Sequence, residues 1–236
     1  MVKTLKYFSM LTLGFCLLVS LFSGCEPVGE ELQQGEANLR IINAVPENKE
    51  YSFYINDTLK TGQALKFGEA SAYLTVAAGT NSVYTSVNDV TVPNTDIDLF
   101  LSKSTKYTLF LAGLASKDSL IYVSTLDRNL ILSDTMATVR FINVSPDAAN
   151  LNLVFQKDLV DSVNVISSIN YRSSSQYVRI KPLNYFLRVK QPARSERLAN
   201  LDNYKLEAGK IYTFWTKGLL KGDGEYALEL KVLKDN

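Results

Sequence analysis

The chain has 236 residues, of which 46% are apolar, and its 25 Lys and Arg nearly balance its 24 Asp and Glu. This composition is typical of a globular protein, and a net charge of +1 argues against a dedicated nucleic-acid-binding protein. The absence of histidine excludes Ser-His-Asp and Cys-His catalysis and every metal site that needs a histidine ligand. Cys16 and Cys25 are the only cysteines, so a disulfide framework or a thiolate cluster is also excluded. We therefore predict no metal and no cofactor.

Residues 1–24 have the organisation of a secretory signal peptide. Lys3 and Lys6 precede an uncharged apolar segment that begins at Tyr7, and Ser23-Gly24-Cys25 follows it. This triplet resembles the lipobox of bacterial lipoproteins, although Phe22 stands where that pattern has Leu, Val or Ile. The resemblance implies that Cys25 is lipidated and becomes the first residue of the mature chain. The alternative is an uncleaved transmembrane anchor, since about 17 apolar residues approach the length of a membrane span.

Residues 25–36 are predicted to form a flexible tether, because they combine Pro, Gly and several acids without an apolar period. Several acyl chains on Cys25, at about 0.8 kcal/mol per buried CH₂, would hold the mature protein to a membrane. Glu26 occupies the position where an aspartate signals inner-membrane retention in many bacteria. By resemblance, this favours the outer membrane.

The mature sequence contains a tandem repeat with a period near 100. Residues 37–47 match residues 137–147 at an offset of 100, and residues 106–114 match residues 211–219 at an offset of 105. The first pair of segments shares five identical positions: Ala37/Ala137, Arg40/Arg140, Ile42/Ile142, Asn43/Asn143 and Pro46/Pro146. We predict two units over 37–130 and 136–236, joined by a short linker.

Apolar residues alternate with polar ones within each unit, as in strands with one buried face. Tyr51, Phe53 and Ile55 show this period of two, and similar short segments recur between turn residues. The pattern predicts an all-β fold with two tandem antiparallel immunoglobulin-like β-sandwiches. Tyr107 and Tyr212 each open the penultimate strand, where a tyrosine can fix the corner of such a sandwich.

The repeated RxINxxP pattern, with Arg40 and Arg140 as its first residues, is followed in each unit by alternating strands. Together with the lipoprotein signal, it resembles domain-of-unknown-function family 4397, whose members recur in bacterial envelope and secreted proteins. The resemblance implies an extracytoplasmic β-sandwich protein and implies no reaction.

Basic residues are concentrated in one part of the second repeat. If two strands there pair as a hairpin, alternation places four cations and two aromatic residues on one outer face, a candidate site for an anionic glycan, lipopolysaccharide phosphate or an acidic patch of an envelope protein. Neutralisation by nearby acids such as Asp202, Glu207 and Glu229 is the structural alternative. The candidate binding residues are Tyr177, Arg179, Lys181, Phe186, Arg188 and Lys190.

Trp215 and its counterpart Phe110 alternate with the inward residues of their strands, which places both on an outer sheet face. An exposed aromatic side chain there suits stacking against a sugar or contact with a protein. Trp215 is therefore a further candidate binding residue, and coverage by a loop or by the neighbouring unit is the alternative.

Four Asp-Ser or Asp-Thr pairs are followed by an aliphatic residue or Met. The pattern resembles the O-glycosylation acceptor of extracytoplasmic proteins in some Gram-negative bacteria, and ordinary turn formation is the alternative. The candidate acceptors are Thr58, Ser119, Thr135 and Ser162.

These features predict a non-enzymatic lipoprotein of the outer membrane or cell surface that presents two β-sandwiches for binding or adhesion. One alternative is a glycan-binding lipoprotein of an uptake system, which needs an exposed aromatic surface or a cleft. The other is a hydrolase, which needs two carboxylates or a Ser-Lys pair converging in a pocket.

Overall fold

The computed structural model of the chain describes residues 35–127, 135–157, 162–192 and 196–235, without the side chains of 162–165 and 235. The predicted signal peptide, Cys25 and nearly all of the predicted tether lie outside these ranges. The described residues of the first repeat form nine strands: β1 (Glu36–Asn43), β2 (Ser52–Ile55), β3 (Thr58–Leu59), β4 (Leu74–Ala77), β5 (Gly79–Val87), β6 (Val90–Thr91), β7 (Ile97–Leu101), β8 (Lys106–Ala112) and β9 (Ile121–Asp127).

The second repeat follows the same order. Single 3₁₀ turns at Ala115–Lys117 and Gly224–Tyr226 precede the last strand of the first and second repeat, respectively. The strands of the second repeat are β10 (Ala137–Asn143), β11 (Leu151–Gln156), β12 (Ser162–Ile169), β13 (Ser173–Ser174), β14 (Val178–Ile180), β15 (Asn184–Lys190), β16 (Ala199–Lys205), β17 (Ile211–Lys217) and β18 (Glu229–Asp235).

Each repeat is a sandwich of two sheets whose strands all come from that repeat. In the first repeat the sheets have the orders β4-β1-β8-β9 and β3-β2-β5-β6, with β7 also paired to β5. In the second they have the orders β13-β10-β17-β18 and β12-β11-β15-β16, with β14 also paired to β10. A separate apolar core fills the space between the two sheets of each repeat. The all-β prediction is therefore confirmed.

One pairing in each repeat differs from the predicted antiparallel arrangement. β1 pairs in parallel with β8, and β10 pairs in parallel with β17. A parallel pair needs a long connection between its strands, and more than 60 residues separate the paired positions here. Alternation within a strand specifies which face is buried, but it does not specify strand direction.

Tight turns explain why several strands end where they do. Asn56-Asp57 joins β2 to β3, Asn88-Asp89 joins β5 to β6, and all four residues have positive φ. Two central residues with positive φ make the two-residue turn that fits the twist of a β-hairpin, and Asn and Asp tolerate this conformation.

The two predicted corner tyrosines occupy equivalent positions. The Tyr107 hydroxyl accepts a hydrogen bond from the Ser102 N–H at 3.2 Å, and the Tyr212 hydroxyl accepts one from the Glu207 N–H at 3.0 Å. Each bond holds the connection that enters the penultimate strand, β8 or β17, against that strand.

Candidate functional site

The hairpin on which the basic face of the second repeat depends does not form, because β14 and β15 lie in opposite sheets. β14 pairs with β10, whereas β15 pairs with β11 and β16. Ile180 on β14 and Leu187 on β15 both enter the core from opposite sides. Sequence alternation is the same for two strands that pair and for two strands that face each other across a core. The four cations therefore do not share one face.

Arg188 is buried and paired with an acid. Only 3% of its side chain is exposed, and its guanidinium forms an ion pair with Asp202 on β16. The same guanidinium lies 5.4 Å from the ring centre of Phe186. Of the acids expected to neutralise this region, Asp202 does so. Arg188 and Phe186 thus stabilise the β15–β16 sheet, and Lys190 lies half-buried at the end of β15.

Arg179 and Lys181 are exposed to water on and directly after β14. Tyr177, which precedes the strand, is half-buried, and the guanidinium of Arg140 lies 4.9 Å from its ring centre. Tyr177 therefore contacts a residue of the repeated motif. Arg179 and Lys181 remain as the accessible part of the predicted binding surface.

Trp215 lies on an outer sheet face, as alternation indicates, but it is only 1% exposed. Its ring packs against Phe110 of the first repeat, with centres 5.3 Å apart. Ile42 and Ile142 belong to the same apolar cluster, which contains residues of both repeats. The neighbouring repeat covers Trp215, which confirms the packing alternative and excludes Trp215 as an exposed stacking surface.

The motif arginines meet at the same interface, on either side of Asp127. The Arg40 guanidinium donates to the Thr108 hydroxyl at 3.0 Å and lies 3.8 Å from the Asp127 carboxylate. The Arg140 guanidinium crosses between the repeats, where it pairs with Asp127 and donates to the Leu126 carbonyl at 2.8 Å. Two buried cations therefore share one buried carboxylate.

The motif asparagines fix the turn that follows the first strand of each repeat. The Asn43 side-chain amide donates to the Leu65 carbonyl at 2.9 Å, and its oxygen accepts from the Val45 N–H at 3.0 Å. The oxygen of Asn143 similarly accepts from the Ser145 N–H at 3.1 Å. Both side chains are buried, and their hydrogen bonds satisfy backbone groups that the strand ends leave free.

A half-buried aromatic pair that no sequence motif marks lies on the outer face of β2 and β5 in the first repeat. Tyr54 on β2 faces Tyr84 on β5, and their rings are stacked with centres 4.9 Å apart and planes within 1°. Leu59 on β3 extends this row and is exposed. Alternation marks both tyrosines as outward-facing, but the register that pairs them comes only from the fold.

A cavity of about 420 Å³ lies where the two repeats meet. Lys117, Ser119 and Leu120 of the first repeat face Tyr171 and Arg172 of the second across it. Burial raises the pKa of the Tyr171 phenol, and the positive charge of Arg172 partly offsets that rise.

A depression of about 360 Å³ on the first repeat contains two carboxylates, Glu50 and Asp89, together with Lys49 and Ser52. Both carboxylates are exposed, and Glu50 lies 3.7 Å from the ammonium of Lys66. A general acid is normally held away from water, so this exposed pair is weak support for the hydrolase alternative.

Residues 37–154, half of the chain, match the family described as domain of unknown function DUF4397. This chain belongs to the DUF4397 family. The match covers the first repeat and continues through β10 into β11. No curated protein matches the chain.

A search of solved structures finds a "putative cell adhesion protein" from Bacteroides eggerthii DSM 20697. It is 9% identical, with a TM-score of 0.23, and the match covers 86% of this chain and 95% of the other. The family match, rather than this distant similarity, places the chain among known proteins.

The candidate acceptors of this DUF4397 protein lie in turns and loops or at the first residue of a strand, as Thr58 does in β3. Thr58 and Thr135 are exposed, and so is Ser119, whose hydroxyl donates to the Leu114 carbonyl at 3.2 Å. The backbone of Ser162 begins β12, but its side chain lies outside the described part of the chain, as does Cys25. Their modification stays a prediction.

Over the four described ranges, no helix has the length and apolarity that a membrane span requires. Within the same ranges, no three Asp, Glu, Cys or His side chains come together as a metal site.

Proposed function

We propose that this protein is a non-enzymatic lipoprotein of the outer membrane or cell surface that presents two joined β-sandwiches for binding or adhesion. The lipobox-like Ser23-Gly24-Cys25 and the acidic residues that follow it support attachment through a lipid and a short tether. In this proposal the membrane is one partner, and an anionic glycan or an envelope protein is the other.

The observation that carries the proposal is the structural use of the repeated motif. Both arginines and both isoleucines lie at the interface between repeats, and both asparagines fix turns. Residues common to the two repeats thus build a continuous two-sandwich body. Such a body can display surface residues at a constant spacing, which suits binding or adhesion.

A glycan-binding role in an uptake system is the second candidate, and the stacked pair Tyr54 and Tyr84 favours it. Aromatic faces on an open sheet provide the apolar surface against which sugar rings stack. Asp57, next to the pair in the β2–β3 turn, adds a carboxylate that can accept hydrogen bonds from sugar hydroxyls.

The lipid anchor is tested by Cys25→Ala, with Cys16→Ala as the matched control in the same segment. We expect wild type and Cys16→Ala to incorporate labelled palmitate and to sediment with membranes, whereas Cys25→Ala does neither. A Cys25→Ala protein that stays in the membrane fraction, with no palmitate on wild type, would instead indicate a transmembrane anchor.

The adhesion role is tested with cells that carry or lack the gene. Cells with the wild-type protein should attach more strongly to glycan-coated or protein-coated surfaces, and protease treatment of intact cells should abolish the difference. Equal attachment of both cell types to every surface would contradict the adhesion role.

A further inference from the structure

Equivalent turns of the two repeats extend to the two ends of the interface between them. In the first repeat, the Gly68 N–H donates to the Asn43 carbonyl at 2.7 Å; in the second, the Arg172 N–H donates to the Asn143 carbonyl at 2.8 Å. Gly68 and Arg172 both have positive φ, at 83° and 67°. Phe67 and Tyr171, which precede them, are therefore also equivalent.

Side chains of the protein itself fill the end of the interface formed by the first of these turns. The ammonium of Lys217 lies 4.4 Å from the ring centre of Phe67, and the ring of Tyr226 lies 5.6 Å from the same ring. Lys217 also forms an ion pair with Glu229 at 3.2 Å. The cation at this end is thus already neutralised.

The end of the interface formed by the second turn is open. One residue that differs between the two ends explains much of this opening. The pairings of Asn43 with Leu111 and of Asn143 with Thr216 make Ala112 the counterpart of Lys217. Because alanine lacks the long side chain that covers Phe67, Tyr171 faces the cavity of about 420 Å³ instead. The cavity volume lies within the range of small-molecule binding sites.

The open end carries two cations, Lys117 and Arg172, that are both exposed. Within the described part of the chain, neither forms an ion pair with a carboxylate. They therefore create a positive field beside the half-buried ring of Tyr171.

The backbone at Arg172 gives an independent reason to assign its side chain a role. A positive φ is strained for a residue with a Cβ and costs nothing sterically for glycine, which the equivalent turn uses at position 68. The second repeat thus keeps an arginine where the turn itself favours glycine. A ligand contact made by the guanidinium would account for this choice.

We propose that this cavity between the repeats binds an acidic sugar residue of a glycan. Arg172 and Lys117 would pair with the sugar carboxylate, and Tyr171 would pack against the face of the ring. The inference rests on the proposed binding function and names a ligand class and a site for it.

The test is calorimetric titration of the full mature chain in detergent with digalacturonic acid and with its neutral counterpart, galactobiose. The protein is expressed in a host that does not glycosylate Ser119, because a sugar on this lining residue would occupy the cavity. The variants are Arg172→Gly and Lys117→Gln, and the matched control is Arg179→Gln, which removes an exposed cation outside the cavity.

We expect wild type and Arg179→Gln to bind the acidic sugar more tightly than the neutral one, and more weakly at higher salt. Arg172→Gly should lose at least about tenfold in affinity while its melting temperature stays the same or rises, because glycine relieves the strained turn. Lys117→Gln should show a smaller loss.

Two results would overturn the inference: no preference of wild type for the acidic sugar, or wild-type affinity in Arg172→Gly. Loss of binding only in Arg179→Gln would move the site to the β14 surface and leave the proposed binding function intact. Failure of the cell-attachment assay, by contrast, contradicts the proposed function itself.

Discussion

Asp127 is the residue on which the polar part of the interface depends. It is 5% exposed, it faces Arg40 and Arg140, and it accepts hydrogen bonds from the hydroxyls of Thr108 at 2.6 Å and Tyr73 at 2.9 Å. A buried ion pair adds little net stability, but removing one partner leaves an uncompensated charge in a medium of low polarity. Asp127 contacts two such arginines, so its loss affects both.

We therefore expect Asp127→Asn to lower the free energy of unfolding by about 3 to 5 kcal/mol, since the substitution removes a carboxylate charge that both buried guanidinium groups contact. Asp98→Asn, at an exposed position, is the control and should change it by no more than about 0.5 kcal/mol. Urea unfolding followed by circular dichroism measures both. Equal effects of the two substitutions would show that Asp127 does not compensate the arginines.

At the scale of strands, the sequence predicted which face each side chain takes better than it predicted which strands meet. Alternation put Trp215 and Phe110 on outer faces, where they are, and Ile180 and Leu187 inside. It did not reveal that a second repeat covers Trp215, because the cover comes from residues about 100 positions away. For the same reason, alternation did not reveal that β14 and β15 lie in opposite sheets, because their pairing partners β10 and β11 are distant in the sequence.

Also at this scale, the corner tyrosines lead to a test of equivalence between repeats. Tyr107→Phe and Tyr212→Phe each remove the acceptor of one backbone N–H while keeping the ring, so each should lower the free energy of unfolding by about 1 kcal/mol. Tyr54→Phe on the open sheet face is the control, with an expected change within about 0.5 kcal/mol. Urea midpoints at constant slope give the values. A loss for only one of the corners would show that the two repeats use this tyrosine differently.

At the scale of the molecule, the described residues belong to one compact unit although each repeat has its own core. The internal repeat in the sequence predicted two similar sandwiches. It did not predict whether the two sandwiches are independent domains or pack against each other. The residues of the interface have the same alternating apolar pattern as any strand. Ile42 and Ile142, for example, fit a strand whether or not they meet.

Separating the repeats decides how much each depends on the other. Because each core is complete within its own repeat, we expect residues 37–130 and 136–236 to unfold cooperatively when expressed alone. Each should melt at a lower temperature than the whole chain, since separation exposes the apolar cluster of Trp215, Phe110 and their neighbours to water.

The readout is available in the chain itself, because Trp215 is the only tryptophan and lies at the interface. Its fluorescence should shift to longer wavelength in the isolated second repeat and return towards the value of the whole chain when the first repeat is added. In the whole chain, fluorescence and circular dichroism should report a single coincident transition. If neither isolated repeat shows a cooperative transition, each repeat needs the other to fold. If adding the first repeat leaves the fluorescence of the second unchanged, the buried interface does not form without the covalent link.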